Sequence, residues 1–294
     1  MENPQQPVSR TAEFMALFRA LESVKRPRAR RLFQDPFAPL FLSPAVAAAL
    51  RLARLPGLGA LVPWLIDRRW PGARSSGVAR TRLIDDAVAW ALGNQVEQIV
   101  LLGAGFDCRA LRLPNIERAR VFELDQAPVI RRKVERLSRR GVASDRHVVR
   151  VALDFERDSL EQALSDADFA REQPAFFVWE GVTNYLNAEA VDRVLGYVAQ
   201  AAPGSRILFT YVHRGAIDGS VGFVGLGRLG RTLSRVGEPW TFGIDPAHIA
   251  DYLLERGLSL IEDVGAADYR ARYDQPGRGY EFYRAALAEV AARG

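Results

Sequence analysis

The chain has 294 residues, 48% of them hydrophobic, which suits one large α/β domain or a domain with an elaborate cap, and a core that needs no covalent staples. Lys and Arg total 40 against 35 Asp and Glu; the resulting charge of +5 is too modest in a chain this long to point to nucleic acid. The one cysteine, Cys108, forbids an internal disulfide, and beside three histidines (His147, His213, His248) it makes a poor zinc set, so no metal is expected and a reducing cytoplasm fits.

Met1 to Ser9 is polar, holds two prolines and has no apolar signal core, so export is not expected. Residues 11–24 place Phe14, Leu17, Phe18 and Leu21 at helical spacing, which predicts a docking helix. Lys25-Arg26-Pro27-Arg28-Ala29-Arg30-Arg31 follows and reads as a solvated basic loop, anchored by the apolar pairs around Asp35-Pro36. Residues 44–55 are rich in Ala and Leu, with Pro44 in the first turn of a helix that Pro56-Gly57 ends. The greasy tract from Ala45 to Ile66 is interrupted by Arg51, Arg54, Pro56, Gly57 and Pro63, which argues against a membrane span. Pro71 to Gly77 reads as a flexible approach to a helix that starts at Val78 and runs to about Ala91. Residues 1–95 are therefore expected to form an N-terminal helical cap, and residues 96–294 the main domain.

From Val96 the rhythm becomes strand and helix in alternation. Gln98-Ile99-Val100-Leu101-Leu102 is a strand buried on both faces, and Gly103-Ala104-Gly105 is the turn after it, where glycine lets backbone approach a ligand. A second strand over 120–124 brings an acidic residue about 20 positions on, Asp125 or Glu123, as a nucleotide ribose requires. Cys108 stands where a dinucleotide fingerprint has its third glycine, which favours a nucleoside without a pyrophosphate. Taken alone, the loop does not separate a ligand site from an ordinary tight turn. A helix over 127–140 is expected to turn Ile130, Val134 and Leu137 inward and its arginines out. Strands follow at 147–152, ending in Leu153-Asp154-Phe155, at 175–179, ending in Glu180, and at 206–212, with a helix over 188–201 before the last of these. The glycine-rich insertion 214–237 is either a lid or a long loop; Asp245-Pro246 opens another helix, and 258–264 and 280–286 are the final strand candidates. The fold class is α/β, a doubly wound, mostly parallel Rossmann-like sheet with its site at the carboxyl ends of the strands.

Five motifs in this order, Ala79-Arg80-Thr81-Arg82…Asp85-Asp86, Leu102 to Arg109, Phe122-Glu123-Leu124-Asp125…Lys133, Leu153-Asp154-Phe155 and Trp179 to Leu186, resemble the leucine carboxyl methyltransferase family. The likeness is greatest to its bacterial branch of class I methyltransferases, often found near secondary-metabolite functions, and runs from about Thr11 to the C-terminal part. The resemblance implies S-adenosyl-L-methionine as cofactor. It implies that Arg80 clamps the methionine carboxylate, with Arg82 as fallback, and that Gly103, Ala104 and Gly105 lie under the ligand. Asp125 would hold the ribose hydroxyls, with Glu123 as substitute, and Asp154 would accept from the adenine amino group with Phe155 packed near the ring. Glu180 would face the ligand's amino group and Tyr185 the sulfonium, while a basic residue from the N-terminal helix, Arg19 or Lys25, would add a contact. Each has a plainer reading: Asp154 as the cap of its own turn, Tyr185 as core, Arg80 as surface charge.

Methyl transfer is an in-line displacement, so the protein has to desolvate two reactants and align them. A carboxylate acceptor, with a pKa of about 4, needs no base; a phenol near about 10 does, and His213, directly after the strand 206–212, is the best placed. The expected activity is that of a cytoplasmic O-methyltransferase acting on a small-molecule carboxylate, less readily a hydroxyl, with Tyr185 and His213 as candidate catalytic residues. The alternatives are a methyltransferase for tRNA or a protein C-terminus, and a cofactor-binding regulator without turnover. Neither the acceptor nor the oligomeric state is legible.

Overall fold

The computed structural model describes residues 10–25, 27–55, 57–142, 145–235 and 237–291; Met1 to Ser9, Arg26 and Pro56, which carried expectations above, lie outside them. Among the described residues, four α-helices come before the first strand: α1 (Arg10–Val24), α2 (Pro44–Arg54), α3 (Leu61–Arg69) and α4 (Ala73–Gly93). The apolar stripe of α1 is buried at Leu17, Phe18 and Leu21, as its spacing requires. Residues 27–30 of the basic stretch are exposed.

Of the flexible approach expected at 71–77, Pro71 and Gly72 form a turn, and residues 73–77 are instead the first turn and a half of α4. Ala73, Ser75, Ser76 and Gly77 are buried there, because small side chains let α1 pass close by. A Cβ on Gly77 would stand 3.1 Å from Phe18 Cδ2 and 3.2 Å from the Met15 methyl. Composition that reads as flexibility thus serves close helix packing. Helix α3 was hidden by Pro63, which sits in its first turn where no amide hydrogen is needed.

The remaining elements are β1 (Gln98–Leu102), α5 (Arg109–Arg112), β2 (Arg120–Asp125), α6 (Ala127–Ser138), β3 (Val148–Ala152), α7 (Leu160–Asp166), β4 (Ala175–Trp179) and α8 (Ala188–Val198). They continue through β5 (Arg206–Val212), α9 (Arg214–Asp218), α10 (Leu226–Arg235), α11 (Ile249–Leu254), β6 (Leu258–Gly265), α12 (Ala266–Arg272) and β7 (Tyr283–Val290). The seven strands form one sheet in the order β3-β2-β1-β4-β5-β7-β6. The pairs among β1 to β5 are parallel, and β7 runs antiparallel to both β5 and β6.

Helices cover both faces, so β1 and β4 are buried at every position. Val100, Leu102, Phe177, Trp179 and Phe209 pack one way with residues of α7, α8 and α11; Ile99, Leu101, Phe176 and Val178 pack the other way with residues of α4 and α12. Strand order reverses between β1 and β4, and the crevice of an open α/β sheet forms at such a switch point. The last strand starts at Tyr283, three residues later than expected, because Tyr280 to Tyr283 is a turn closed by the Tyr283 amide donating to the Tyr280 carbonyl at 2.9 Å. No helix among the described residues is long and apolar enough to cross a membrane.

The inward face of α6 differs from expectation. Val134 is 39% exposed, while Lys133 and Leu137 are buried. Lys133 Nζ lies 2.8 Å from Glu123, a carboxylate in the middle of β2 that Arg150 also meets at 3.1 Å. A buried carboxylate costs several kcal/mol unless paired, so the helix turns its lysine inward to meet it. Glu123→Gln strands the Lys133 charge, and the expected loss is about 3 kcal/mol in urea unfolding; an unchanged midpoint would show that the pair carries no such weight.

Candidate functional site

A cleft of 1860 Å³ opens at the carboxyl ends of β1, β2 and β4, under α1 and α10. That exceeds the roughly 300–1,000 Å³ of a single small-molecule site, so the cleft has room for two reactants.

Its floor is the loop after β1. Gly103 and Gly105 have φ of +71° and +44°, in the left-handed region where a Cβ is disfavoured. At Gly103 a Cβ would lie 2.2 Å from the Val182 side chain, so this glycine is required by packing beneath the floor. At Gly105 it would meet nothing nearer than 3.9 Å. There the missing side chain leaves backbone bare toward the cavity. The Gly103 and Ala104 amides both donate to the Leu124 carbonyl at 2.9 Å, and the Gly105 amide donates to Asp125 Oδ2 at 2.6 Å. The β1 loop and the end of β2 are thereby held as one surface.

Asp125 lines the cleft, its other oxygen accepting from the Gln126 amide at 2.7 Å. Burial raises its pKa and outweighs the two amides that favour the ionised form. Glu123, the substitute, is outside the cleft in its pair with Lys133. Asp154 and Phe155 line the cleft beyond β3. Asp154 Oδ1 also accepts from the Glu156 amide at 3.0 Å, so it caps its own turn while facing the cavity. Phe155 leans on Trp179, ring centres 6.2 Å apart.

At the end of β4 stands Glu180, between two arginines. Arg80 Nε reaches it at 2.8 Å and Arg109 Nη2 at 3.0 Å. Burial pushes the Glu180 carboxyl up, yet Arg109 and Arg80 together hold it below the ordinary glutamate range. Arg80 comes from α4, lies over the Tyr283 ring at 4.5 Å and faces the cleft. Arg82, its fallback, points elsewhere, toward Asp86 at 2.8 Å and the Leu32 carbonyl at 2.7 Å. Of the two basic candidates on the N-terminal segment, Arg19 reaches the site: it donates to the Phe106 carbonyl at 2.6 Å and pairs with Asp35 at 2.9 Å. Lys25 turns to Glu22 at 3.4 Å, away from the cleft.

Tyr185 lines the cleft, with its phenol pushed up to about 12 by burial. His213 does not line it. Its Nδ1 accepts the Gly215 amide at 3.0 Å as the cap of α9, and its ring packs against Phe223. The expected base is thereby a helix cap, the common use of a polar side chain directly before a helix. The insertion that holds α9 and α10 is a wall rather than a loop, giving Leu229, Thr232 and Leu233 to the cleft.

Sequence reasoning passed over Asp107 and Arg109, although both stand inside the glycine-loop motif. Arg109 is buried and meets Asp85 at 2.9 Å, Glu180 and Asp107. Burial would raise the Asp107 carboxyl, but Arg109 and Arg19 override it and hold the group down at about 2. Trp240, Tyr280 and Tyr283 were also missed; Trp240 is at least 40 residues from either tyrosine, and none of them stands in a motif.

A family model described as leucine carboxyl methyltransferase matches residues 12–199. A Mycobacterium marinum protein named for S-adenosyl-L-methionine-dependent methyltransferase activity is 38% identical over 208 residues, 68% of this chain and 64% of its own length. The chain thus spans just under two thirds of that relative. A Frankia alni protein of the same description is 34% identical over 213 residues, 71% of this chain and 70% of the other. Two crystal structures share the fold: a Thermobifida fusca protein described as a methyltransferase (TM-score 0.60, 21% identity, 87% of this chain and 93% of that one) and a DUF574 family protein from Streptomyces avermitilis (TM-score 0.55, 16% identity, 92% and 96%).

A folded-state pKa of about 2 means that Asp107 stabilises the protein fully above its unfolded pKa and loses that contribution as pH falls toward 2. Asp107→Asn should therefore cost about 2 kcal/mol at pH 7, with the gap to the unmodified protein closing between about pH 4 and pH 2. Urea titrations at pH 7 and pH 3 measure it; at pH 3 the gap should shrink to about half, and a gap that did not narrow would contradict the assignment.

Proposed function

This chain belongs to the leucine carboxyl methyltransferase family, and from that premise we propose that it binds S-adenosyl-L-methionine in the cleft and methylates a carboxylate of a small molecule. The observation that carries the cofactor half is the donor set: a bare glycine loop, an acid at the end of β2 and an arginine-paired acid at the end of β4, all facing one cavity. These groups suit a nucleoside with an amino-acid tail. Asp125 offers acceptors to ribose hydroxyls, and the two oxygens it already gives to amides fix its orientation. Glu180, paired with Arg80 at 2.8 Å, would hold the ligand's amino group, and the Arg80 guanidinium would hold its carboxylate. Asp154 and Phe155 flank the adenine end.

When bound, the cofactor supplies a methyl group on a sulfonium: the acceptor oxygen forms the new C–O bond with its own electron pair, and the pair of the broken C–S bond stays on sulfur. The residues of this chain hold the partners in line and exclude water. The carboxylate acceptor is favoured by what faces the cleft. None of the three histidines lines it, Asp107 and Glu180 are held ionised by arginines, and the Tyr185 phenol is pushed up to about 12. Asp125, whose pKa burial raises, is held by the Gly105 and Gln126 amides at the end of β2, so none of these groups is poised to take a proton from the acceptor near neutral pH. An acceptor that arrives as an anion needs none.

Titration calorimetry with S-adenosyl-L-methionine tests the cofactor half: Arg80→Met is expected to weaken binding about 10- to 100-fold, the range for a hydrogen bond to a charged group. Methyl transfer from labelled cofactor to carboxylic acids is expected to be flat between about pH 6 and pH 9 and to fall below about pH 5, where the acceptor protonates. A rate that climbed tenfold per pH unit through that window would instead mark a hydroxyl acceptor. His213→Ala should leave turnover and its pH dependence unchanged while costing about 1 kcal/mol of stability as a lost cap.

A further inference from the structure

The wall of the cleft beyond Glu180 is aromatic, and two features of it are unexplained by cofactor binding. Trp240 faces the cleft, and its indole Nε1–H is buried with no partner in hydrogen-bond geometry, although it is near enough to the Tyr185 phenol to favour the ionised form of that group. A buried donor left unsatisfied is disfavoured and calls for a ligand. The residue is not there by looseness: the next one, Thr241, bonds through its amide to the Asn184 carbonyl at 2.8 Å and through its hydroxyl to the Leu186 carbonyl at 2.9 Å.

The second feature is Tyr280, which has φ of +72°, a conformation that bulky side chains rarely adopt. Strain of this kind persists where surroundings over-determine it, and it clusters at ligand sites. Here the surroundings are clear. Buried Arg270 bonds to the Gly279 carbonyl, to Ser76 Oγ at 2.9 Å and to Glu281 at 2.9 Å, and Glu281 takes the Gly279 amide at 2.8 Å. Gly279 in turn lies so close to Gly72 that a Cβ there would fall 2.2 Å from its carbonyl oxygen. The turn is pinned to the start of α4, and its product is a tyrosine ring on the cleft, 4.7 Å from Phe282 and 5.9 Å from Tyr283. The Tyr280 hydroxyl makes no hydrogen bond among the described residues, and burial holds it protonated at neutral pH, so it too is a donor in waiting.

We infer that Trp240 and Tyr280 build the acceptor subsite, and that the acceptor is an aromatic carboxylic acid. Its ring lies against the Tyr280 and Trp240 side chains, which Tyr283 backs, and the carboxylate oxygen that is not methylated accepts from the Trp240 N–H. A carboxylate has two equivalent oxygens, so one must be held for the other to be aimed. Flat rings gain from offset or edge contacts with such walls, and a saturated ring of the same size does not. This inference rests on the reading of the cleft as a carboxyl methyltransferase site.

The test uses the whole protein saturated with S-adenosylhomocysteine, titrated with 2-naphthoate and with decahydro-2-naphthoate, its saturated counterpart. We expect the aromatic acid to bind at least tenfold more tightly. Trp240→Phe, which keeps a ring and removes the donor, is expected to weaken 2-naphthoate about tenfold and to raise its KM for methylation by a similar factor, with S-adenosylhomocysteine affinity unchanged; Tyr280→Phe should do the same more mildly. Equal binding of the two acids, no binding of 2-naphthoate, or a Trp240→Phe protein that binds it as before would overturn the inference. These outcomes are distinct from failure of the parent reading, in which S-adenosylhomocysteine itself would not bind.

Discussion

The structure depends on a buried network of charges that joins the N-terminal helices to the ends of the strands. Arg19 and Asp35 enter it from the first 40 residues, Arg80 and Asp85 from α4, Asp107, Arg109 and Arg112 from the loop after β1, and Glu180 from the end of β4. Four cations face four anions, so the set is neutral as a whole. Arg112 grips Asp85 through both of its terminal nitrogens, at 2.7 and 2.8 Å, while Arg109 touches three acids at once. Such a network gives little net stability compared with apolar residues of the same volume, but removing one member strands its partners in a low dielectric. What it fixes is position. Glu180 and Arg80 face the cleft from different elements, and their relative placement is set by Arg109 and by the α4 backbone rather than by either residue alone.

Close packing does the same for the floor. The Gly103 turn rests on Val182, and Val182 follows directly on Glu180 and Gly181, so the loop after β1 and the loop after β4 cannot shift independently. Phe41 stacks on Phe106 at 4.6 Å from the cap side. The strand-end part of the cleft is therefore rigid by construction, with apolar contact below and ion pairs around it.

Much of this was legible. Strands β1, β4 and β5 stand where runs of apolar residues place them, because a strand buried on both faces has a pattern that nothing else in the chain shares. Asp125 and Glu180 were readable for the related reason that an acid directly after such a strand lands at the sheet's carboxyl edge. Two of the failures share a cause as well. Val134 was assigned inward by helical spacing, yet Lys133 takes the place because of a carboxylate ten residues away in sequence and on another element. Gly77 and its small neighbours were read as flexible, yet they are small to admit α1. His213 was read from its place after a strand, whereas its use as a cap depends on the helix that follows. In the first two cases the deciding partner stands on another element and local pattern holds no record of it; at His213 it is local, the Gly215 amide two residues on, and was masked by a glycine-rich stretch that did not read as helix.

The two ends of the cleft differ in how they are built, and that difference has a consequence for specificity. One end, where we propose that the cofactor binds, is made from strand ends and the loops tied to them, which the sheet positions directly. The other end is assembled from α1, α10, the segment around Trp240 and the strained turn at Tyr280, elements that lie outside the repeating strand and helix units. Many contacts there run outside the network of charges: Thr11 donates to Glu238 at 2.7 Å, and Trp240 packs on Phe282 and Tyr283, while Tyr283, under Arg80 at 4.5 Å, and Arg19 of α1 tie the two ends together. A scaffold arranged in this way keeps one half of its site constant while the other half varies. The same division explains why motifs were visible for one end alone. Motifs arise where chain neighbours act together, and the aromatic wall of the cleft and the helices beside it bring together residues from positions 11 to 283.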